Sequence, residues 1–230
     1  MSMGQKPHGP LRSYGRIKAR QLKSRQAALV QDRLPDLALP DPALGLIDPL
    51  ALMPGASKIW LEIGFGGGEH MAAQALAHPD VLILGAEPFL NGAASALRHI
   101  DEQGLSNIRL LQGDARDLMA ALPDGCLDRV FILFPDPWPK ARHHKRRLVQ
   151  APVIQDLARL LRPGGKLRFA TDWADYADWT LQRINRSPDF SWTAERAQDW
   201  SAPPADHFTT RYEEKKLGDC APVFLDFVRV

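Results

Sequence analysis

The chain has 230 residues, 45% of them hydrophobic, and a formal net charge of +2, which suits one α/β domain with an extension. Two cysteines, Cys126 and Cys220, stand at no C-x-x-C or metal-ligand spacing, which argues against a disulfide framework and for a reducing cytoplasm. The polar, basic first residues hold no apolar signal region, and apolar runs of about five residues fall far short of the ~20 that span a bilayer, so neither secretion nor membrane insertion is expected.

Two segments concentrate the positive charge. Residues 1–31 contain Lys6, Arg12, Arg16, Lys18, Arg20, Lys23 and Arg25 and no acid; residues 140–147 contain Lys140, Arg142, Lys145, Arg146 and Arg147 and no acid. Of 29 cations, 17 are left for the rest of the chain, against 27 acids. An acidic body with two purely basic segments reads as a protein with two phosphate-binding arms, the plain alternative being a basic tail without function. Gly4, Pro7, Gly9, Pro10 and Gly15 predict little fixed structure over residues 1–16 without a partner. A short helix is expected over residues 19–34, then an extended connector marked by Pro35, Pro40, Pro42, Pro49 and Pro54. The expected division is a basic arm over residues 1–50 and a folded domain over residues 51–230.

The folded body opens with a strand over residues 58–63, followed by a turn in which Gly64, Gly66 and Gly68 alternate with other residues, and a helix over residues 69–77. Such a loop lets a ligand approach bare backbone, but position 69, where a G-x-G-x-x-G dinucleotide fingerprint wants glycine, is Glu69. Glu62 sits just before the loop and suits a ligand with a cationic end, such as the amino-acid end of S-adenosylmethionine, better than a pyrophosphate. The second strand, residues 81–86, ends in Glu87, placed to accept both ribose hydroxyls of a nucleoside. A helix is expected over residues 89–103. The third strand, residues 108–112, ends in Gly113-Asp114, an acid placed to meet an adenine amino group. Ligands of open α/β sheets bind outside the carboxyl ends of the strands, where all three acids point.

The stretch V-F-I-L-F-P-D-P-W-P-K-A-R-H-H-K-R-R, residues 130–147, carries the most information. Residues 130–134 read as a strand buried on both faces, stopped by Pro135, which has no amide hydrogen to donate. Pro135, Pro137 and Pro139 leave Asp136 and the Trp138 ring few conformations. Lys140, Arg142, His143, His144, Lys145, Arg146 and Arg147 follow at once. An acid at a buried strand's end, an aromatic plate and a run of cations suit chemistry on a base within a polyanion; an ordinary basic loop is the alternative. His143 and His144 have no carboxylate or thiol at ligand spacing, so no metal is expected. A helix over residues 149–161 closes at Arg162-Pro163-Gly164-Gly165, and a fifth strand, residues 166–170, brings Thr171-Asp172 to the same edge. A helix over residues 174–185 and two strands over residues 190–194 and 223–230 complete the body. Between those strands, residues 206–216 mix hydroxyls, an aromatic and both charges, which fits either a polar clamp or an exposed loop.

Glu62-Ile63-Gly64-Phe65-Gly66, Gly85-Ala86-Glu87, Gly113-Asp114-Ala115 and Pro163-Gly164-Gly165 resemble the strand-tip motifs of class I S-adenosylmethionine-dependent methyltransferases. Residues 134–147, with Thr171-Asp172 and Thr210-Arg211-Tyr212-Glu213, resemble more specifically the bacterial tRNA (guanine-N7-)-methyltransferases, and Arg12-Ser13-Tyr14 resembles their N-terminal arm. The resemblance implies a Rossmann-like α/β fold, a seven-stranded, mostly parallel sheet with helices on both faces and the last strand antiparallel. It implies methyl transfer to N7 of guanine 46 in the tRNA variable loop. Glu62, Gly64, Gly66, Gly68, Glu87, Asp114 and Asp136 would hold S-adenosyl-L-methionine or its surroundings. Lys140, Asp172, Thr210, Arg211, Tyr212 and Glu213 would contact the substrate, and residues 142–147 the RNA. Many members carry a Gly-His pair where this chain has Gly218-Asp219-Cys220, which puts the path of the C-terminal loop in question.

Guanine N7 has an unprotonated lone pair at neutral pH, so no base must activate it; Asp136 is expected to hold the purine N–H groups and oppose its developing positive charge. The alternatives are a non-catalytic RNA-binding protein on this fold and a nicotinamide-dependent reductase, which calorimetry with S-adenosylmethionine and NADH separates. Either a monomer or a homodimer is compatible with the sequence.

Overall fold

The computed structural model describes residues 21–230. The expectations for residues 1–16, including Arg12-Ser13-Tyr14, lie outside the described residues. Strands β1 (Lys58–Ile63), β2 (Val81–Ala86), β3 (Ile108–Leu111), β4 (Leu127–Leu133), β5 (Leu161–Thr171), β6 (Phe190–Trp192) and β7 (Val223–Arg229) form one sheet in the order β3-β2-β1-β4-β5-β7-β6. The pairs from β3 to β5 are parallel, and β7 runs antiparallel to both β5 and β6. Around the sheet lie α1 (Ser24–Asp32), α2 (Leu34–Leu37), α3 (Pro49–Leu52), α4 (Glu69–Ala77), α5 (Leu90–Gln103), α6 (Ala115–Ala121), α7 (Ala151–Leu160), α8 (Ala174–Ile184), α9 (Gln198–Ser201) and α10 (Arg211–Glu214).

Side-chain alternation sorts these helices into two layers. Ile59, Leu61 and Ile63 of β1 join the core with Leu118 of α6, Leu157 of α7 and Tyr176 of α8. Trp60 and Phe131 face the other way, into the core with Met71 of α4 and Leu97 of α5. All six residues of β2 are buried, as a central parallel strand requires. Glu62 shares the orientation of Trp60, so its carboxylate meets the α4 layer.

Strand β4 covers Leu127–Leu133 and not the expected residues 130–134, since Phe134 leaves the strand with a φ of 50°. Further details also depart from the sequence expectation. The proline-marked connector is packed along the body: Leu37, Leu39 and Ile47 are buried, and the Leu39 amide donates to the Leu110 carbonyl at 2.8 Å beside the β3 edge. The prolines permit this because Pro35 and Pro49 open short helices, where a missing amide hydrogen costs nothing. Strand β5 begins at Leu161, which pairs with Leu127; the register then jumps to Arg129 opposite Lys166, so Arg162–Gly165 is an irregularity inside the strand. Helix α6 is an addition to the expected elements and starts on Asp114, whose carboxylate accepts from the Arg116 amide at 2.9 Å.

Strand order reverses between β1 and β4, so the loops after those strands flank the switch point of the sheet. Among the described residues, no helix is long and apolar enough to cross a membrane.

Candidate active site and nucleic-acid interface

The loop after β1 is shaped for close approach. Gly64, Gly66 and Gly68 have φ of 74°, 53° and 79°, in the left-handed region that side chains disfavour. A Cβ on Gly68 would also lie 2.5 Å from that of Ala96, so this glycine seats the loop against α5. The loop is tied to the tip of β2: the Gly66 amide donates to Glu87 Oε2 at 3.0 Å and the Phe89 amide to Glu87 Oε1 at 2.9 Å. Burial nevertheless raises the Glu87 carboxyl above its ordinary range, against those two amides and with a small push from the Asp136 charge. Asp114 is held differently. Burial alone would raise it, but Arg116, at 2.9 Å from Oδ1 and 2.5 Å from Oδ2, keeps it below the usual carboxylate range.

A cavity of about 290 Å³ opens between this loop and residues 210–215. Glu62, Gly64, Gly66 and Glu69 line one side, Thr210, Arg211 and Tyr212 the other, and Leu133 and Phe134 the floor at the tip of β4. Glu62 is 3% exposed, and its Oε2 lies 2.7 Å from Nδ1 of His70, itself 1% exposed. The opposite wall is braced by a capping box: the Thr210 amide donates to Glu213 Oε2 at 2.8 Å, and Glu213 Oε1 lies 2.8 Å from His207 Nε2. Glu87, Asp114, Asp136, Lys140 and Asp172 lie outside the cavity lining.

After β4 the chain is fixed by strain as well as by proline. Phe134 and Trp138, two residues either side of Asp136, have φ of 50° and 46°, rare for bulky side chains. Phe134 packs 5.5 Å from the Tyr212 ring, at the cavity. Trp138 turns away and lies against His143 at 5.9 Å and under the Arg146 guanidinium at 4.9 Å, so the aromatic plate at the cavity is Phe134 rather than Trp138. Solvent reaches Asp136, yet the surrounding protein displaces enough water to hold its carboxyl above the ordinary range. Residues Ala141–Arg146 form a 3-10 turn on which Lys140, Arg142 and Lys145 are exposed and His143, His144 and Arg146 half-buried.

Compared with known proteins, residues 56–224 match the family model described as "Putative methyltransferase". The chain is 62% identical, over the full length of both, to the tRNA (guanine-N(7)-)-methyltransferase of Caulobacter vibrioides (strain NA1000 / CB15N). It is 52% identical to that of Hyphomonas neptunium (strain ATCC 15444), over 94% of this chain and 99% of the relative. The chain belongs to the tRNA (guanine-N(7)-)-methyltransferase family. Solved structures that share its fold include the antibiotic-resistance methyltransferase Kmr, at a TM-score of 0.52 and 18% identity over 78% of this chain and 91% of that one. A 16S rRNA (adenine(1408)-N(1))-methyltransferase mutant from Catenulisporales acidiphilia matches at a TM-score of 0.52 and 19% identity, over 80% of this chain and 92% of that one. The fold is thus the class I methyltransferase fold.

Within this tRNA (guanine-N(7)-)-methyltransferase family member, one expected RNA contact has a different place. Arg147 is 2% exposed: its Nε donates to the Pro137 carbonyl at 2.8 Å, it pairs with Asp175, and its guanidinium lies 4.8 and 4.9 Å from the Tyr176 and Trp179 rings. It ties the Asp136 loop to α8 and presents no charge to a polyanion. The departure at Gly218-Asp219-Cys220 also acquires a reason. Asp219 Oδ1 accepts from the Ala174 amide at 2.9 Å, capping α8, whose own N-cap residue Trp173 supplies no side-chain bond. Gly218 lies so close to Asp172 that a Cβ would stand 2.0 Å from the Asp172 carbonyl oxygen. Asp172 is buried there, with the Tyr212 hydroxyl donating to Oδ1 at 3.4 Å. Sequence reasoning missed Phe134 and His70; an aromatic closing the strand before Pro135 was the available signal for the first, and histidine eight positions beyond Glu62 gave none for the second.

Proposed function

We propose that this chain transfers the methyl group of S-adenosyl-L-methionine to N7 of guanine 46 in the variable loop of tRNA. The observation that carries the proposal is the cavity in which Glu62 and the glycine loop face Thr210–Tyr212 across the tip of β4. The residues fit the cofactor. Glu62 offers a buried carboxylate for the α-ammonium group, Gly64 and Gly66 leave the backbone bare, and Glu87 keeps acceptor capacity on both oxygens for ribose hydroxyls. When bound, S-adenosylmethionine supplies an electrophilic methyl group. Asp136 accepts from the guanine N1–H and N2–H₂ groups and opposes the positive charge that appears on the purine as N7 is alkylated. Lys140 and residues 210–213 position the nucleotide, the buried Asp172 holds the Tyr212 hydroxyl instead of meeting the substrate, and the exposed cations of the 3-10 turn bind phosphate. Activity in the cytoplasm, on tRNA and with no metal ion, fits this chemistry.

The direct test is mass spectrometry of nucleosides from unmodified tRNA incubated with protein and S-adenosylmethionine. 7-Methylguanosine is expected from parent tRNA and not from tRNA with adenine at position 46. Cofactor binding without product would favour the non-catalytic RNA-binding alternative.

Glu87→Ala is expected to weaken cofactor binding by about 2–3 kcal/mol, since hydrogen bonds to a charged group are the strong ones, while tRNA affinity barely moves. Calorimetry that returns an affinity within twofold of the parent would remove Glu87 from the ribose site. Arg142→Ala with Lys145→Ala is expected to weaken tRNA binding and make the log–log salt dependence shallower by about one to two units, because each phosphate left without its cation keeps its counterions. An unaltered slope would show that the turn faces solvent in the complex.

A further inference from the structure

Two polar side chains of α4 are buried as deeply as any core leucine, and the chemistry described so far uses neither. His70 and Gln74 are each 1% exposed, and buried polar groups of this kind demand partners. They form a continuous chain. Glu62 Oε2 lies 2.7 Å from His70 Nδ1, His70 Nε2 lies 3.1 Å from Gln74 Nε2, and Gln74 Nε2 lies 2.7 Å from the Asp206 carbonyl oxygen. Partner chemistry fixes the direction of each bond. A carboxylate accepts, so Nδ1 carries the imidazole proton; an amide nitrogen donates, so Nε2 of His70 accepts. The Gln74 amide thus donates twice and leaves its own Oε1 buried with no partner among the described residues, a cost that this orientation accepts.

The far end of the chain is the stem of the 206–216 loop, which is held by more than Gln74. The Asp206 carboxylate accepts from Arg168 at 2.7 Å and pairs with Arg129 at 2.7 Å, so its side chain is moored to β5 and β4 and its carbonyl to α4. Immediately beyond, His207 engages Glu213, whose capping box shapes the cavity wall at Thr210–Tyr212.

We propose that His70 and Gln74 are positioning residues that join the carboxylate at the cofactor end of the site to the stem of the substrate loop. Glu62 orients His70, His70 orients the Gln74 amide, and Gln74 sets the height of the loop over the glycine turn. The proposal rests on the assignment of residues 210–213 to the tRNA side of the site.

Gln74→Met, close in volume and unable to donate, tests it, with Gln74→Ala as a second variant that keeps the helix and leaves space rather than a clash. Hydrogen exchange of amides in residues 206–216 is expected to accelerate about tenfold, with α4 and β1 unchanged. KM for tRNA is expected to rise about three- to tenfold, the scale of one hydrogen bond, with KM for S-adenosylmethionine within twofold. Unchanged exchange in the loop of a cooperatively melting variant would overturn the proposal, as would a parallel rise in both Michaelis constants. A loosened loop with an unmoved KM for tRNA would leave Gln74 as the positioning residue and remove residues 210–213 from the tRNA contact.

Discussion

Asp136→Asn is expected to lower turnover by roughly 10²–10³, the scale of removing one preorganised electrostatic group. The substitution keeps the shape, removes the charge and turns one acceptor into a donor toward the guanine N–H groups that Asp136 is proposed to hold. Affinity for S-adenosylmethionine should suffer much less, because the proposed cofactor carboxylates, Glu62 on β1 and Glu87 just after β2, belong to other parts of the sheet edge. Burial around Asp136 raises its carboxyl above the ordinary range, and the proposed role needs the ionised form. The rate should therefore be level through neutrality and decline on the acid side from a pH above the aspartate norm of about 4. The sign for stability is the opposite: a raised folded-state carboxyl contributes stability at low pH that is lost as pH rises through its folded value. Asp136→Asn should then melt at or slightly above the parent temperature at pH 7. A variant as fast as the parent, or a parent profile rising tenfold per unit through neutrality, would sink the assignment.

The proposed contact also predicts base discrimination. A tRNA with inosine at the target lacks the N2 amino group, so the parent should disfavour it by about 1–3 kcal/mol, the penalty for leaving a polar group unpaired. Asp136→Asn should discriminate less. Equal specificity constants for the two tRNAs with the parent would place Asp136 on some other part of the substrate.

The strand-tip acids were legible because a parallel sheet forces its ligands to one edge, and Glu87 and Asp136 each come directly after a run of apolar residues that reads as a buried strand. The periodicity of α4 and β2 placed both elements with the observed limits. What escaped was tertiary in origin. Nothing local distinguishes Arg147, buried against Tyr176 and Trp179, from Lys145, which is exposed; both are cations in one basic run. The orientation of Trp138 depends on a left-handed backbone at an aromatic residue, against its own preference, and so could not be read from composition. The connector was misjudged because proline restricts φ without saying whether a helical turn begins or extended chain continues. Asp219 is legible only once the C-terminal loop is known to return to the N-terminus of α8.

Arg147→Ala is expected to destabilise the fold by about 2–3 kcal/mol, lowering the melting temperature by about 4–12 °C for a chain of this size. The destabilisation has three parts. The Pro137 carbonyl is left without its donor, the space between Tyr176 and Trp179 empties, and Asp175 is deprived of a partner. The third part is small, because the Asp175 side chain is 61% exposed and water replaces the guanidinium there. The first two reach the chemistry, since Pro137 follows Asp136 directly: turnover should fall even at temperatures where the variant is folded. Arg147→Lys should recover little, because an ammonium group cannot both stack between two rings and donate along a rigid plane. The salt dependence of tRNA binding should keep the parent slope, unlike that of Arg142→Ala with Lys145→Ala. A variant that melts with the parent but shows a salt slope shallower by about one unit would mean that Arg147 meets a phosphate after all, and that α8 moves aside when tRNA binds.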